Sequence, residues 1–369
     1  MHVRRSEGHA LAMAELLQLL TPEGERRHDP TYDVDVSGEE LRALFRDMVL
    51  VRRLDTEAHA LQRHGELGLW PPLLGQEAAQ IGAGHALQPA DYVFPTYREH
   101  GVAWARGVDP VDLLALFRGV TNGGYDPAAH NFALATIVIG DQTLHAVGYA
   151  MGVQRDAGLD AAPGSAVMSF FGDGASSQGD VNEAFVWAAV NDAPVVFFCQ
   201  NNQWAISQPL HRQTRIPLYQ RAEGFGFPGI RVDGNDVLAV LAVTRAALRR
   251  AREGRGPSLV EAYTYRMGAH TTSDDPSRYR VDAELEQWRL KDPIERVRAY
   301  LLRSGAGDQA FIDDVAAQAD DLGTRLREAC RALPDPSPSA MFDHVYAEPH
   351  GLVAEEHQWW QEYLGDAHG

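Results

Sequence analysis

Two stretches decide the fold. The first is Ala166-Val-Met-Ser-Phe-Phe-Gly-Asp-Gly-Ala-Ser-Ser177, and the second, after Pro194, is Val195-Val-Phe-Phe-Cys-Gln-Asn-Asn-Gln-Trp204. Each opens with a short apolar run of the kind buried on both faces of a sheet. Between them Val181, Ala184, Phe185, Ala188 and Ala189 keep helical spacing. Strand, helix, strand at this spacing predicts a right-handed βαβ unit with parallel strands. Each run ends in a polar motif, Gly172-Asp173-Gly174 and Asn201-Asn202. In a parallel sheet both motifs lie at the carboxyl ends of the strands, where ligands bind.

Working outward, Ser37 with Glu40 three residues on predicts a capped helix start, and Leu41, Leu44, Phe45, Met48 and Val49 continue it. Further helices are expected from about 76 to 86, from Asp109-Pro110, from about 142 to 154, over 281–303 and over about 308–332; another strand is expected over 258–264. The fold class is therefore α/β: a parallel sheet flanked by helices, with helical N- and C-terminal extensions. The expected boundaries are an N-terminal extension over 1–37, with an amphipathic helix in its first twenty residues, a ligand-binding α/β domain over 38–345, and a C-terminal tail over 346–369. Gly224-Phe-Gly226-Phe-Pro-Gly229 fits G-x-G-x-x-G, but Pro228 sits inside it and no strand signal precedes it, so it reads as a loop.

Composition narrows the function. The chain has 369 residues, with 51 acidic against 33 basic side chains, a net charge of −18. That is a poor match to phosphate backbones, and no nucleic-acid partner is expected. Cys199 and Cys330 form no C-x-x-C pair, which excludes a disulfide framework or a cysteine zinc site. No apolar stretch reaches the length of a membrane span, so no membrane partner is expected and the cytoplasm is the expected compartment.

The residues at the strand ends suit a magnesium ion and a diphosphate. Asp173 offers a hard anionic oxygen, Asn202 an amide oxygen and Trp204 a main-chain carbonyl, and oxygen ligands of this kind are what magnesium takes. The amides of Gly174 and Ala175 sit where a helix begins and can face phosphate oxygens. On spacing alone, a β-turn followed by an Asn-rich turn accounts for the same residues.

The longer run Gly172-Asp-Gly-Ala-Ser-Ser-Gln-Gly-Asp-Val-Asn-Glu183, followed by Gln200-Asn-Asn-Gln-Trp-Ala-Ile-Ser207, resembles the thiamine diphosphate motif. With Gly75-Gln-Glu-Ala78, Pro95-Thr-Tyr-Arg-Glu-His100, Ile137-Val-Ile-Gly-Asp-Gln142 and Arg266-Met-Gly-Ala-His-Thr-Thr-Ser-Asp-Asp-Pro-Ser-Arg-Tyr-Arg280, it is similar to the α subunit of the heterotetrameric 2-oxo acid dehydrogenases over about residues 39–345. The resemblance implies the thiamine diphosphate-binding fold and an oxidoreductase of the EC 1.2.4 class. It also implies thiamine diphosphate and Mg2+ as cofactors and a heterotetramer of two α and two β chains. The reaction implied is decarboxylation of a 2-oxo acid and transfer of the acyl group to the lipoyl domain of the dihydrolipoyl acyltransferase. Pyruvate is the first expectation, with branched-chain 2-oxo acids and acetoin as alternatives.

Carried over by position, the resemblance implies Asp173, Asn202 and the Trp204 carbonyl as magnesium ligands. It implies Tyr97 and Arg98 on the diphosphate, with Gly174 and Ala175 beside it. Ile139 would wedge between the cofactor rings, and the Ile137 carbonyl would accept from the aminopyrimidine. His270 would be catalytic and touch the cofactor from a loop near 264–280, organised by Arg266, Tyr279 and Arg280. Thr271 matches a position phosphorylated in mitochondrial relatives. Asp180 and Glu183, one helical turn apart, match acids of a proton tunnel between two active sites. Residues 68–74, with bulky Trp70, would shape the acyl pocket. Glu77 falls in a structural block, so the glutamate that activates the pyrimidine is expected from a β subunit.

Overall fold

The computed structural model describes residues 16–121, 123–158 and 161–367. Five parallel strands form the sheet: β1 (Tyr92–Phe94), β2 (Val167–Gly172), β3 (Val195–Asn201), β4 (Gly229–Asp233) and β5 (Ser258–Tyr263), in spatial order β1-β2-β3-β5-β4. Val167 pairs with Val195 and Gly172 with Gln200, so the two polar motifs emerge side by side. β3 and most of β2 and β5 are buried, as expected for strands covered on both faces. β1 and β4 are strands that the sequence reading did not include.

Helices cover both faces. Helix α1 (Gly38–Arg63) starts at Ser37, whose Oγ accepts from the Glu40 amide; Leu41, Leu44, Phe45 and Met48 face the core. Helix α2 (Glu77–Ala86), α3 (His100–Ala105) and α4 (Pro110–Arg118, capped by Asp109) follow. On the other face α5 (Asp141–Ala157) packs Ala146, Val147 and Ala150 against Val181, Ala184 and Phe185 of α6 (Gly179–Val190). Helix α7 (Val237–Arg252) begins at Asp236, whose carboxylate accepts from Leu238 and Ala239. It packs in the core with α1 and α2. Helices α8 (Asp282–Arg289), α9 (Pro293–Ser304), α10 (Gln309–Ala332) and α11 (Gly351–Ala367) complete the chain.

Helix α11 fills most of 346–369, in line with the helical C-terminal extension expected. The N-terminal extension departs from expectation: its described part, 16–37, is not helical. Leu17 bridges Val232 of β4 in parallel, Leu19 and Leu20 are buried, and their amides both donate to Asp236 Oδ2 at 2.6 Å. Backbone pairing with the sheet edge competes with helix formation there, and Pro22, Gly24 and Pro30 do not favour a helix. The helix expected near the start lies mostly outside the described residues. Among the described residues no helix is long and apolar enough to cross a membrane.

Candidate active site

A cavity of about 240 Å3 opens beyond the carboxyl ends of β2 and β3, where ligands of parallel sheets bind. Asp173, Gly174, Ala175, Asn202 and Trp204 line it, as do Tyr97, Arg98, Ile139, Arg266 and His270. Segments far apart in sequence thus converge on one space.

The deepest group is oxygen-rich. Asp173 is 1% exposed, and burial pushes its carboxyl up to about 6 against the pull of the Gln213 hydrogen bond and the Arg266 charge. Gln213 Nε2 donates to Asp173 Oδ2 at 2.9 Å, a contact the sequence did not reveal. One end of the Asn202 amide lies 3.2 Å from both Asp173 Oδ1 and the Trp204 carbonyl, while the other lies 3.0 Å from Gln76 Oε1. With nitrogen toward Gln76, Asn202 Oδ1, which also accepts from the Trp204 amide at 3.3 Å, faces Asp173 Oδ1 and the Trp204 carbonyl. Three oxygens converging in this way fit a hard cation. Gly174 is required by space: a Cβ there would lie 2.6 Å from the Ala205 Cβ. Residues 174–177 make one 3-10 turn before α6.

The cationic wall is Arg98 and Arg266, both buried. Arg98 Nη1 donates to the Pro72 carbonyl at 2.6 Å, and Nη2 donates to the His270 carbonyl at 2.9 Å. Arg266 donates to the carbonyls of Trp204 at 2.9 Å and Ile206 at 2.8 Å. Both guanidiniums also reach His270 Nδ1, at 3.3 Å from Arg98 and 3.2 Å from Arg266. An arginine only donates, so Nδ1 accepts and the ring proton sits on Nε2. Burial first, then the two positive charges, lower the His270 pKa to about 3, and the ring is neutral near pH 7.

The loop bearing His270 is tied at several points. The His270 amide donates to Asp274 Oδ2 at 2.8 Å, and the Tyr279 hydroxyl donates to the same carboxylate. Arg280 donates to the carbonyls of Arg266, Met267 and Gly268. Arg266, Tyr279 and Arg280 therefore form one network around the loop.

Other positions fall elsewhere. Ile139 lines the cavity with Val138, but Ile137 is 73% exposed and outside the lining. Asp180 and Glu183 are exposed on α6 and do not line the cavity; Glu183 Oε1 accepts from Trp187 Nε1 at 2.9 Å. Trp70 is fully buried, stacked on His100 at 4.1 Å between centroids, so it does not shape the cavity as expected. Glu77 is buried and bonded to Arg52 and to the Gly75 amide, a structural role. Among the cavity residues that the sequence does not single out are Glu99, buried and held by Thr96 and Gln200, and Gln142, whose amide nitrogen donates to the Phe170 carbonyl at 2.7 Å. Glu99 adjoins Arg98 in sequence, the one available signal; Gln142 sits at the helix start that the reading had already placed.

The family model described as the dehydrogenase E1 component matches residues 45–329. The chain is similar to the 3-methyl-2-oxobutanoate dehydrogenase subunit alpha of Mycobacterium tuberculosis, 47% identical over 358 residues covering 96% of both chains. It is also similar to the pyruvate dehydrogenase E1 component subunit alpha of Staphylococcus epidermidis, 35% identical over 351 residues covering 94% of this chain and 93% of the relative.

Proposed function

Because the chain belongs to the dehydrogenase E1 component family, as the α subunit of a 2-oxo acid dehydrogenase, we propose that it supplies the metal- and diphosphate-binding half of an active site completed by a β subunit. The observation that carries this is the convergence of Asp173, Asn202 and the Trp204 carbonyl beside two buried arginines. Thiamine diphosphate supplies the electron sink for decarboxylation when bound. Asp173, Asn202 and Trp204 would hold Mg2+, and Gly174 and Ala175 would face the diphosphate. Arg98 and Tyr97 would bind the diphosphate from the opposite wall, the arginine through a planar fork suited to phosphate oxygens.

Ile139 orients the cofactor by packing, and the Ile137 carbonyl stays an assigned acceptor that a partner must help enclose. His270, neutral with its N–H on Nε2, can donate a hydrogen bond from that nitrogen to the reacting group during acyl transfer to a lipoyl group of the acyltransferase component. Arg266, Tyr279 and Arg280 keep it in place. Asp180 and Glu183 belong to the outer face of α6, where a proton route would need the partner to cover them. That face also exposes Val186, Trp187 and Val190, the last at 78%, which supports an interface there. The unit over 38–345 holds the site, with 1–37 and 346–369 as extensions, in a cytoplasmic complex.

The higher identity to the 3-methyl-2-oxobutanoate relative supports branched-chain 2-oxo acids over pyruvate as substrate. Co-expression with a β subunit, followed by turnover of 3-methyl-2-oxobutanoate, pyruvate and acetoin, tests this. The branched-chain acid should give the highest kcat/KM, and the isolated chain should give none. Full activity of the isolated chain overturns the half-site reading; preference for pyruvate or acetoin overturns only the substrate.

A further inference from the structure

Residues 70–75 lie outside the cavity, yet almost every backbone group in them is engaged. The Trp70 carbonyl accepts from the Thr272 amide at 2.9 Å, and the Trp70 amide donates to Thr272 Oγ1 at 3.0 Å. The Pro71 carbonyl faces His100 Nε2 at 3.2 Å. The Pro72 carbonyl accepts from Arg98, the Leu74 carbonyl from the Met267 amide at 3.0 Å, and the Gly75 carbonyl from Thr264 Oγ1 at 2.8 Å. The carbonyls of this strap grip Arg98 and the segment 264–272 that carries His270. Gly75 has φ +94°, and a Cβ there would lie 2.4 Å from the Tyr265 carbonyl, so only glycine permits this approach.

The strap is held from the opposite side by one carboxylate. Asp55, on α1 and 4% exposed, accepts from Trp70 Nε1 at 2.8 Å and the Leu73 amide at 3.0 Å through Oδ1, and from the Leu74 amide at 3.1 Å through Oδ2. Pro71 and Pro72 have no N–H to satisfy, and the Gly75 amide goes to Glu77. A buried carboxylate with three convergent donors is stabilised in place and fixes the donors in return. Burial pushes this carboxyl up to about 6, so its retention in the core depends on those donors.

We infer that Asp55 is a positioning residue for the active site: through the 70–75 strap it sets the placement of both Arg98 and the loop carrying His270, without lining the cavity itself. This rests on the active-site assignment above. A fixed strap holds its carbonyls at one register, and Arg98 and Thr272 are then presented to the cavity and to His270 in one geometry. Loosening the strap would let the loop open while the sheet stays intact, since no strand residue bonds to Asp55.

The test uses the full chain co-expressed with its β subunit and saturated with thiamine diphosphate and Mg2+. Asp55→Asn keeps the size and one acceptor but turns an NH2 toward donors. Amides 268–274 should exchange roughly ten- to hundredfold faster, the effect of losing a charge-assisted hydrogen bond in a locally opening segment, while β2 and β3 keep their protection. The cofactor Kd should rise in parallel. Thr272→Val, which removes the acceptor for the Trp70 amide, should act in the same direction. Combined with Asp55→Asn it should add little, because both loosen one strap.

Where Asp55→Asn fails to fold, Trp70→Phe removes a single donor and is measured the same way. Unchanged loop exchange and cofactor Kd in a folded variant overturn the inference, as does a uniform loss of protection across the sheet. Should the wild-type complex fail to bind thiamine diphosphate, the active-site reading falls, and loop exchange in the unloaded complex still decides the role of Asp55.

Discussion

The floor of the cavity and its rim are close neighbours in the fold but differ in how they are finished. At the floor, Asp173 and Asn202 are buried and every approach is set by this chain: Gln213 on Asp173, Gln76 on Asn202, Arg266 on the Trp204 carbonyl. At the rim, Ile137 and Val138 stand 73% and 66% exposed, and α6 beyond them exposes Trp187 and Val190. Burial with satisfied partners marks a site that one chain pre-organises. Clustered apolar exposure marks a surface left for another chain. On the proposed half-site reading, the difference separates what this chain supplies from what a β subunit completes.

The floor is where the comparison breaks most visibly. Asp173→Ala removes the anionic member of the proposed ligand set, and calorimetry should show cofactor affinity in the presence of Mg2+ falling by about a hundredfold or more. Gln213→Ala, which removes only the donor to Asp173, should cost on the order of tenfold, the effect usual for outer partners of metal ligands. Equal affinities for wild type and Asp173→Ala would remove the floor from the metal site.

The rim sharpens the comparison from the other side. Trp187→Glu places a charge in the centre of the exposed face. Association with the β subunit should weaken by roughly thirtyfold, about 2 kcal/mol, as for a buried aromatic anchor at an interface. The thermal midpoint of the isolated chain should hardly move, because Trp187 is half exposed. Size-exclusion chromatography with light scattering reads the first outcome and circular dichroism the second. An intact heterotetramer at micromolar concentration would place the partner elsewhere.

The floor was legible in the sequence and the rim much less so. Gly172-Asp173-Gly174 and Asn201-Asn202 follow unbroken apolar runs, and the strand-end rule alone puts them together. The Ser37 cap and the Asp109-Pro110 start are local signals and appear as read. β4 was hidden because the glycines and Pro228 before it suggest only a loop, and its pairing with β5 is a tertiary fact. Helix α7 carried a clear signal, Asp236 before an apolar run, that went unread. The strap over 70–75 works through main-chain carbonyls, which leave no side-chain signature. The contact of Arg98 with His270 joins residues 172 apart in sequence, and nothing in either neighbourhood announces it.

The smallest expected effect concerns the seam between these regions. His100 packs under the strap, 3% exposed and stacked on Trp70, with Nε2 at 3.2 Å from the Pro71 carbonyl. Burial, reinforced by the Arg98 charge and opposed by that carbonyl, lowers its pKa to about 3. The unfolded chain takes up a proton here near pH 6.5, while the folded chain does not until far lower, so this group's contribution to stability falls as the solution is acidified. Asp55, Asp173 and Asp236, each pushed up to about 6 by burial, act in the opposite sense: the folded state holds protons that the unfolded state has lost between about pH 6 and 4. The wild-type curve therefore mixes opposing terms, and a difference isolates one. His100→Gln keeps a donor for the Pro71 carbonyl and cannot titrate. Measured by urea unfolding, wild-type stability relative to this variant should drop by about 1.3 kcal/mol between about pH 7 and 5.5. A difference that does not change with pH would mean that His100 protonates freely in the folded chain, and the seam between strap and α3 would then be open to water rather than closed as the Trp70 stack implies.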